Sequence, residues 1–257
     1  MITLSSDFGS PYPAAMKGVM LQRTDARLVD VSHDFPRQDV RTAAFWLTQT
    51  LPYFPPAVHL VVVDPGVGTD RDAVVVRAGE HALVGPDNGV LLPAARELAG
   101  TTGGSDEFEV FVVDPGDPAS TTFHGRDVFA PTAAEVHERG VDTFEEGERF
   151  APAGEYVDLA FPEPTVREDG ADGEVLAVDD FGNAITNVPG DVLDGRFGGS
   201  VTVAGSTAPV RRTYAAVDPG DRLVTVGSHG NVELAVNRGR GDDAFGVTAG
   251  DAVSISW

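Results

Sequence analysis

Short apolar runs alternate with stretches of helical period through the first half of the chain. Residues 2–4, 28–31, 58–63, 74–77 and 108–113 are β-branched or otherwise apolar over strand-like lengths, which predicts strands. Residues 14–22, 40–51, 90–98 and 128–138 repeat their apolar positions every three or four residues, which predicts helices. This order predicts an α/β architecture: an N-terminal layered, Rossmann-like domain over residues 1–160. The pattern then changes. From residue 151 Pro, Gly, Glu and Asp accumulate, and 161–173 is expected to be a linker. Beyond it, 175–178, 200–204, 222–226, 232–236 and 252–257 are short strand-like runs separated by Gly and Asp turns, with no convincing helix. A smaller all-β, barrel-like domain is expected over 174–257. The stretch Asn237-Arg238-Gly239-Arg240-Gly241-Asp242-Asp243 resembles a phosphate loop only in its glycines, since the Lys-Ser/Thr pair and a following helix are missing from the pattern.

Composition narrows the class. The 257 residues are 42% hydrophobic and 23% charged, ordinary usage for a folded protein with a sizeable core. There is no cysteine, so disulfides and thiolate metal sites are excluded. The chain opens on Ile2-Thr3-Leu4-Ser5-Ser6-Asp7 without a basic region, and no run approaches the roughly 18 apolar residues of a membrane span, so a cytoplasmic protein is expected. The formal net charge is −22, and of 18 basic residues only Lys17 is a lysine. So acidic a surface repels nucleic acid. It also repels itself in dilute buffer, whereas in molar salt the Debye length falls to about 3 Å; adaptation to a high-salt cytoplasm is expected.

Two segments carry the candidate chemistry. The strand-like run ending in Val61-Val62-Val63 hands over to Asp64-Pro65-Gly66-Val67-Gly68-Thr69-Asp70-Arg71, and in open α/β sheets the loops at strand carboxyl ends line the ligand crevice. Thr122-Phe123-His124-Gly125-Arg126-Asp127 lies between a strand-like run and a helix-like one. Asp64, Arg71 and His124 are therefore candidate functional residues. The plainer alternatives are an Asp that only bonds its own turn and a histidine satisfied in the core.

Seven motifs occur in a specific order: Ser6-Asp7-Phe8-Gly9, Met16-Lys17-Gly18-Val19, Val63-Asp64-Pro65-Gly66-Val67-Gly68, Gly85-Pro86-Asp87-Asn88-Gly89, Thr122-Phe123-His124-Gly125-Arg126-Asp127, Asp179-Asp180-Phe181-Gly182-Asn183 with Thr186-Asn187, and Gly227-Ser228-His229-Gly230 through Asn237. In this the chain resembles the S-adenosylmethionine hydroxide adenosyltransferases, relatives of the fluorinase and chlorinase enzymes, over nearly its whole length. The resemblance implies hydrolysis of S-adenosyl-L-methionine to adenosine and L-methionine, with Asp64, Arg71 and His124 as catalytic residues. It implies that Asp7 accepts both ribose hydroxyls, that Phe123 contacts substrate, that Asp179 faces the methionine ammonium and Asn183 the adenine edge. By the same resemblance Ser228 holds the methionine carboxylate, Tyr214 stacks on or flanks the substrate, and Glu233, Val236, Asn237 and Arg238 line the adenine end. It further implies a homotrimer whose sites lie between one subunit's first domain and a neighbour's second. Two departures from the family pattern are a shorter loop after Asp7, Gly9-Ser10-Pro11-Tyr12-Pro13, and His229 at the varied position after the serine.

The implied reaction needs little besides placement. A sulfonium makes methionine a neutral leaving group, so displacement at the ribose C5′ requires chiefly a nucleophile held in line and relieved of its proton. No cofactor or metal is expected. The halogenating relatives lack this Asp and His, and a carboxylate beside the attack position repels halide while accepting a hydrogen bond from water. Three further readings are a halogenase-like enzyme, a metal-dependent hydrolase with Asp7, Asp64 and His124 as ligands, and a nucleoside-binding module without turnover.

Overall fold

Every apolar run expected to be a strand in the first half is one in the computed structural model, whose described residues are 1–101, 107–117 and 119–257. The chain forms two compact units, Met1–Ala160 and Phe161–Trp257. In the first, strands β1 (Ile2–Ser6), β2 (Leu28–Ser32), β3 (Val58–Val62), β4 (Ala73–Ala78), β5 (His81–Pro86), β6 (Glu109–Val113) and β7 (Phe150–Pro152) are interleaved with helices α1 (Tyr12–Leu21), α2 (Val40–Thr50), α3 (Leu92–Thr101) and α4 (Ala130–Arg139). The strands make one mixed sheet in the order β2-β1-β3-β5-β4-β6-β7, parallel from β2 to β5 and antiparallel from there on.

Three of the parallel strands lie at the centre of the unit. Strands β1, β3 and β5 are buried at every position. Ile2, Leu4, Leu60 and Val62 pack with Met16 and Met20 of α1 and with Ala130, Ala133 and Ala134 of α4. The alternate residues of the same strands point to the other face, where Ala43, Phe45 and Leu47 of α2 and Ala94, Ala95 and Leu98 of α3 are equally buried. Helices on both faces give the layered arrangement expected. The parallel strands β1, β3 and β5 all end on the same edge, which brings together Asp7, Asp64 and the loop from Asp87 to Gly89.

The second unit contains β8 (Thr165–Arg167), β9 (Gly170–Val178), β10 (Ala184–Pro189), β11 (Ser200–Val203), β12 (Ser206–Pro209), β13 (Arg222–Val226), β14 (Asn231–Val236), a short α5 (Gly241–Phe245) and β15 (Ala252–Ser256). The sheet order is β12-β11-β15-β9-β10-β14-β13, with β8 added to β9. Long β9 pairs with β15 through Gly170–Glu174 and with β10 through Val175–Val178. Past β12, Val210 bridges to Val224 of β13 and the Arg211 N–H donates to the Val224 carbonyl at 3.0 Å, so the sheet curls into a nearly closed barrel. Val175, Val201, Leu234 and Ile255 fill its interior.

Residues 161–173 differ from the expected linker, since they hold β8 and the start of β9. The glycines there serve close strand approach. A Cβ on Gly170 would lie 2.5 Å from the Ile255 carbonyl oxygen, and one on Gly173 would lie 2.2 Å from Asn187 Oδ1. Helix α5 is a second difference: it follows the glycine-rich stretch at Arg240, where none was expected. Among the described residues no helix is long and apolar enough to cross a membrane.

Candidate active site

At the carboxyl edge of the parallel strands lies a cleft of about 520 Å³, lined by residues that include Asp7, Phe8, Tyr12, Asp64, Phe123, His124 and Arg126. Asp7 leaves the end of β1, Asp64 follows β3, and His124 precedes a single π-helical turn (Gly125–Phe129) that runs into α4. Such widened turns recur at functional sites because they re-aim the side chains around them. Gly125 is closely packed: a Cβ would lie 3.0 Å from Met16 Sδ, 3.1 Å from Phe123 Cε2 and 3.2 Å from Val62 Cγ1.

Asp64 and Arg71 form an ion pair between the Asp64 Oδ1 and Arg71 Nη2 atoms, with side chains only 6% and 15% exposed. Asp64 Oδ1 also accepts from the Gly66 N–H at 3.0 Å, as the turn reading anticipated. The guanidinium lies over Gly66 so closely that a Cβ there would sit 2.2 Å from Arg71 Nη1. The loop is braced from β5: Asn88 Nδ2 donates to the Val63 carbonyl at 2.9 Å, and the Asp87 N–H to the Asp72 carbonyl at 3.0 Å. The motif Gly85-Pro86-Asp87-Asn88-Gly89 is thus a support for the Asp64 loop.

Two atoms of the ion pair are unused by the protein. Asp64 Oδ2 and Arg71 Nε are buried and have no hydrogen-bond partner among the described residues. Buried polar atoms without partners are uncommon and call for an explanation. Here one is an acceptor and the other a donor. Burial raises the pKa of Asp64 above its ordinary value, and the Arg71 charge, the Gly66 N–H and His124 oppose that rise.

Phe8, Tyr12 and Phe123 meet edge to face, with centroids 5.4–6.1 Å apart. Arg126 lies 5.2 Å from the Phe123 centroid and holds Asp127 through two hydrogen bonds of 2.7 Å. The shortened loop after Asp7 therefore supplies Tyr12 as an aromatic wall. Neither Phe8 nor Tyr12 was singled out from the sequence as a site residue, although Phe8 lies within the Asp7 motif and Tyr12 in the shortened loop after it.

Residues 2–147 match the SAM hydroxide adenosyltransferase N-terminal domain, and residues 173–254 match the C-terminal domain. The chain belongs to the SAM hydroxide adenosyltransferase family. It is 42% identical to the (R)-S-adenosyl-L-methionine hydrolase of Salinispora arenicola, over 99% of this chain and 97% of that protein. It is 40% identical to the protein of the same name from Thermus thermophilus, over 97% of each. Among solved structures, an uncharacterized conserved protein from Thermotoga maritima is similar at a TM-score of 0.82 with 33% identity, over 100% of both chains. A conserved hypothetical protein from Thermus thermophilus is similar at a TM-score of 0.77 with 38% identity, over 99% of this chain and 98% of that one.

The remaining residues that the family resemblance implied as substrate contacts belong to the barrel unit. Asp179 and Asn183 bond one another: Asp179 Oδ1 accepts from the Asn183 N–H at 2.8 Å and Oδ2 from Asn183 Nδ2 at 2.9 Å, in a loop that leaves Phe181 79% exposed. Glu233 is buried, accepting from the Tyr214 hydroxyl at 2.6 Å and lying 3.4 Å from His229 Nε2. Burial, followed by the Glu233 carboxylate, raises the pKa of Tyr214, which stays a phenol. Val236 is buried, Ser228 and Arg238 are exposed, and Asn237 Nδ2 donates to the Val217 carbonyl at 2.7 Å. Among these residues Tyr214, Glu233 and His229 form one cluster and Asp179 with Asn183 another. Among the described residues no group of three or more His, Asp or Glu is arranged to hold a metal ion.

Proposed function

We propose that this protein hydrolyses S-adenosyl-L-methionine to adenosine and L-methionine, the reaction that its relatives' names suggest. The water oxygen bonds to C5′ as the C5′–S bond breaks. That bond's electron pair returns to sulfur as a neutral thioether, and the water gives up one proton to solvent. In this reading Asp64, Arg71 and His124 hold the water, Asp7 accepts the ribose hydroxyls and Phe123 lies against the substrate. The observation that carries it is the gathering of Asp7, Asp64, Phe123 and His124 around one cleft, with Asp64 held by its ion pair to Arg71. A carboxylate fixed in advance by an ion pair and a turn N–H, in the same cleft as a histidine, suits in-line attack by water.

The same carboxylate disfavours an anionic nucleophile, which argues against halogenation. The sulfonium activates its own leaving group, so the reading invokes neither cofactor nor metal. We read Asp179, Asn183, Tyr214, Ser228, Glu233, Val236, Asn237 and Arg238 as the substrate-binding set of the barrel unit, and the enzyme as a cytoplasmic, salt-adapted homotrimer. Incubation of the purified, metal-stripped protein with each sulfonium epimer separately, in molar KCl, tests the function. Adenosine and methionine in equal amounts, formed faster from the (R) epimer, are expected. Adenine, S-adenosylhomocysteine or a halogenated nucleoside as the main product would overturn it.

A further inference from the structure

The chain retains one lysine among 17 arginines, and that lysine begins a side-chain relay ending beside Asp7. Lys17 Nζ donates to Asp30 Oδ2 at 2.5 Å, His33 Nε2 lies 3.0 Å from Asp30 Oδ1, and His33 Nδ1 lies 2.7 Å from the hydroxyl of buried Ser6. The carboxylate of Asp30 only accepts, so Nε2 of His33 carries a proton. Ser6 is the last residue of β1 and the neighbour of Asp7.

The backbone around this relay joins the same two loops. The Gly9 N–H donates to the His33 carbonyl at 2.9 Å and the Phe35 N–H to the Ser6 carbonyl at 3.3 Å. The Gln38 N–H reaches Asp7 Oδ2 itself at 2.7 Å. Gln38 holds φ at +63°, a conformation side-chain-bearing residues seldom adopt and one kept where the surroundings enforce it. The strain lies in the residue that aims a donor at Asp7.

We infer that the relay of Lys17, Asp30, His33 and Ser6 is a positioning device for Asp7, holding the loop from His33 to Gln38 against the end of β1 so that the Asp7 carboxylate faces the cleft at a fixed angle. The inference rests on the reading of Asp7 as the ribose-binding residue. His33 and Lys17 act through Asp7 and touch no reacting atom. A compact ammonium on a flexible stem reaches one carboxylate oxygen without the wide fork of a guanidinium, which fits the retention of lysine here.

The test is a double-variant cycle on S-adenosylmethionine turnover in molar KCl, with folding of each variant checked by its thermal transition. His33→Ala is expected to raise KM about three- to tenfold, the scale of one lost positioning hydrogen bond, with kcat within about twofold. Lys17→Ala, at a partly exposed side chain that the fold tolerates, is expected to raise KM in the same sense by about two- to threefold. In an Asp7→Ala background His33→Ala is expected to add nothing beyond about twofold, because both changes remove one function. The same KM increase in both backgrounds, or a fall in kcat at unchanged KM, would overturn the relay while leaving Asp7's role intact. An unchanged KM in Asp7→Ala alone would overturn the ribose-binding reading and the relay with it.

Discussion

Replacing Gly66 by alanine should disable the site without replacing any charged group. Gly66 does not lie at positive φ, so alanine is acceptable to the backbone, and the conflict is with a side chain. The added methyl would sit 2.2 Å from Arg71 Nη1 and 3.3 Å from Cζ, where ordinary contact begins at 3.4 Å. The guanidinium must therefore shift by about 1 Å, away from the geometry in which it holds Asp64. Arginine is flexible at that end, so the fold accommodates the move. Fewer unfolded conformations for alanine add about 0.4–1 kcal/mol of stability where the site is free of strain, but loosening a buried ion pair outweighs this, so Tm is expected to fall modestly. Catalysis should respond differently, since a displacement of about 1 Å at a positioned group costs about 10²-fold. Steady-state kinetics of Gly66→Ala should then show kcat reduced about 10²-fold with KM within about twofold. Arg71→Ala and the Gly66→Ala/Arg71→Ala double variant should be equally impaired. A kcat within about threefold of the parent would refute the claim that the Asp64–Arg71 geometry orients the nucleophile.

His124→Ala should lower kcat by about 10²-fold or more at nearly constant KM, because it acts on water rather than on substrate; unchanged turnover would remove it from the mechanism. Buried His59 bonds Thr3 and His81 at 2.8 and 2.9 Å, and burial, then His81, lowers its pKa from 6.5 to about 3. Its folded value lies below its unfolded one, so the stability it secures is complete above pH 6.5 and is lost as pH falls toward about 3. His59→Phe should flatten the decline of Tm across that window, and a decline parallel to the parent's would contradict this. With a net charge of −22, Tm should climb steeply from dilute to molar KCl as like charges are screened; a flat or falling Tm would count against salt adaptation.

The layered first unit was legible because β3 is buried on both faces and is nearly continuous in apolar residues, and because β1 opens on the apolar and β-branched Ile2-Thr3-Leu4. Strand β5 was not expected because it opens on His81 and ends on Gly85-Pro86, residues that elsewhere mark turns; Gly79 at φ +57° in the tight turn before it was the available signal. Strand β10 was passed over because Ala184 to Pro189 mixes polar with apolar residues, and Thr186 is buried through its bond to the Val232 carbonyl. Asp64 and His124 were legible as loop residues at element ends, yet the unmatched Asp64 Oδ2 depends on how Arg71 folds back over Gly66. The contact of Ser6 with His33 is equally tertiary. The spacing of Asp30 and His33 at the end of β2 was the only hint in the sequence.

In the proposed reaction, water held at Asp64 is the nucleophile at C5′. Turnover of S-adenosylmethionine in heavy-oxygen water, with mass spectrometry of the isolated adenosine, tests it most directly. One heavy oxygen per adenosine, located on the 5′-hydroxyl, and none in methionine, is the expected result. Adenosine free of the label would contradict it.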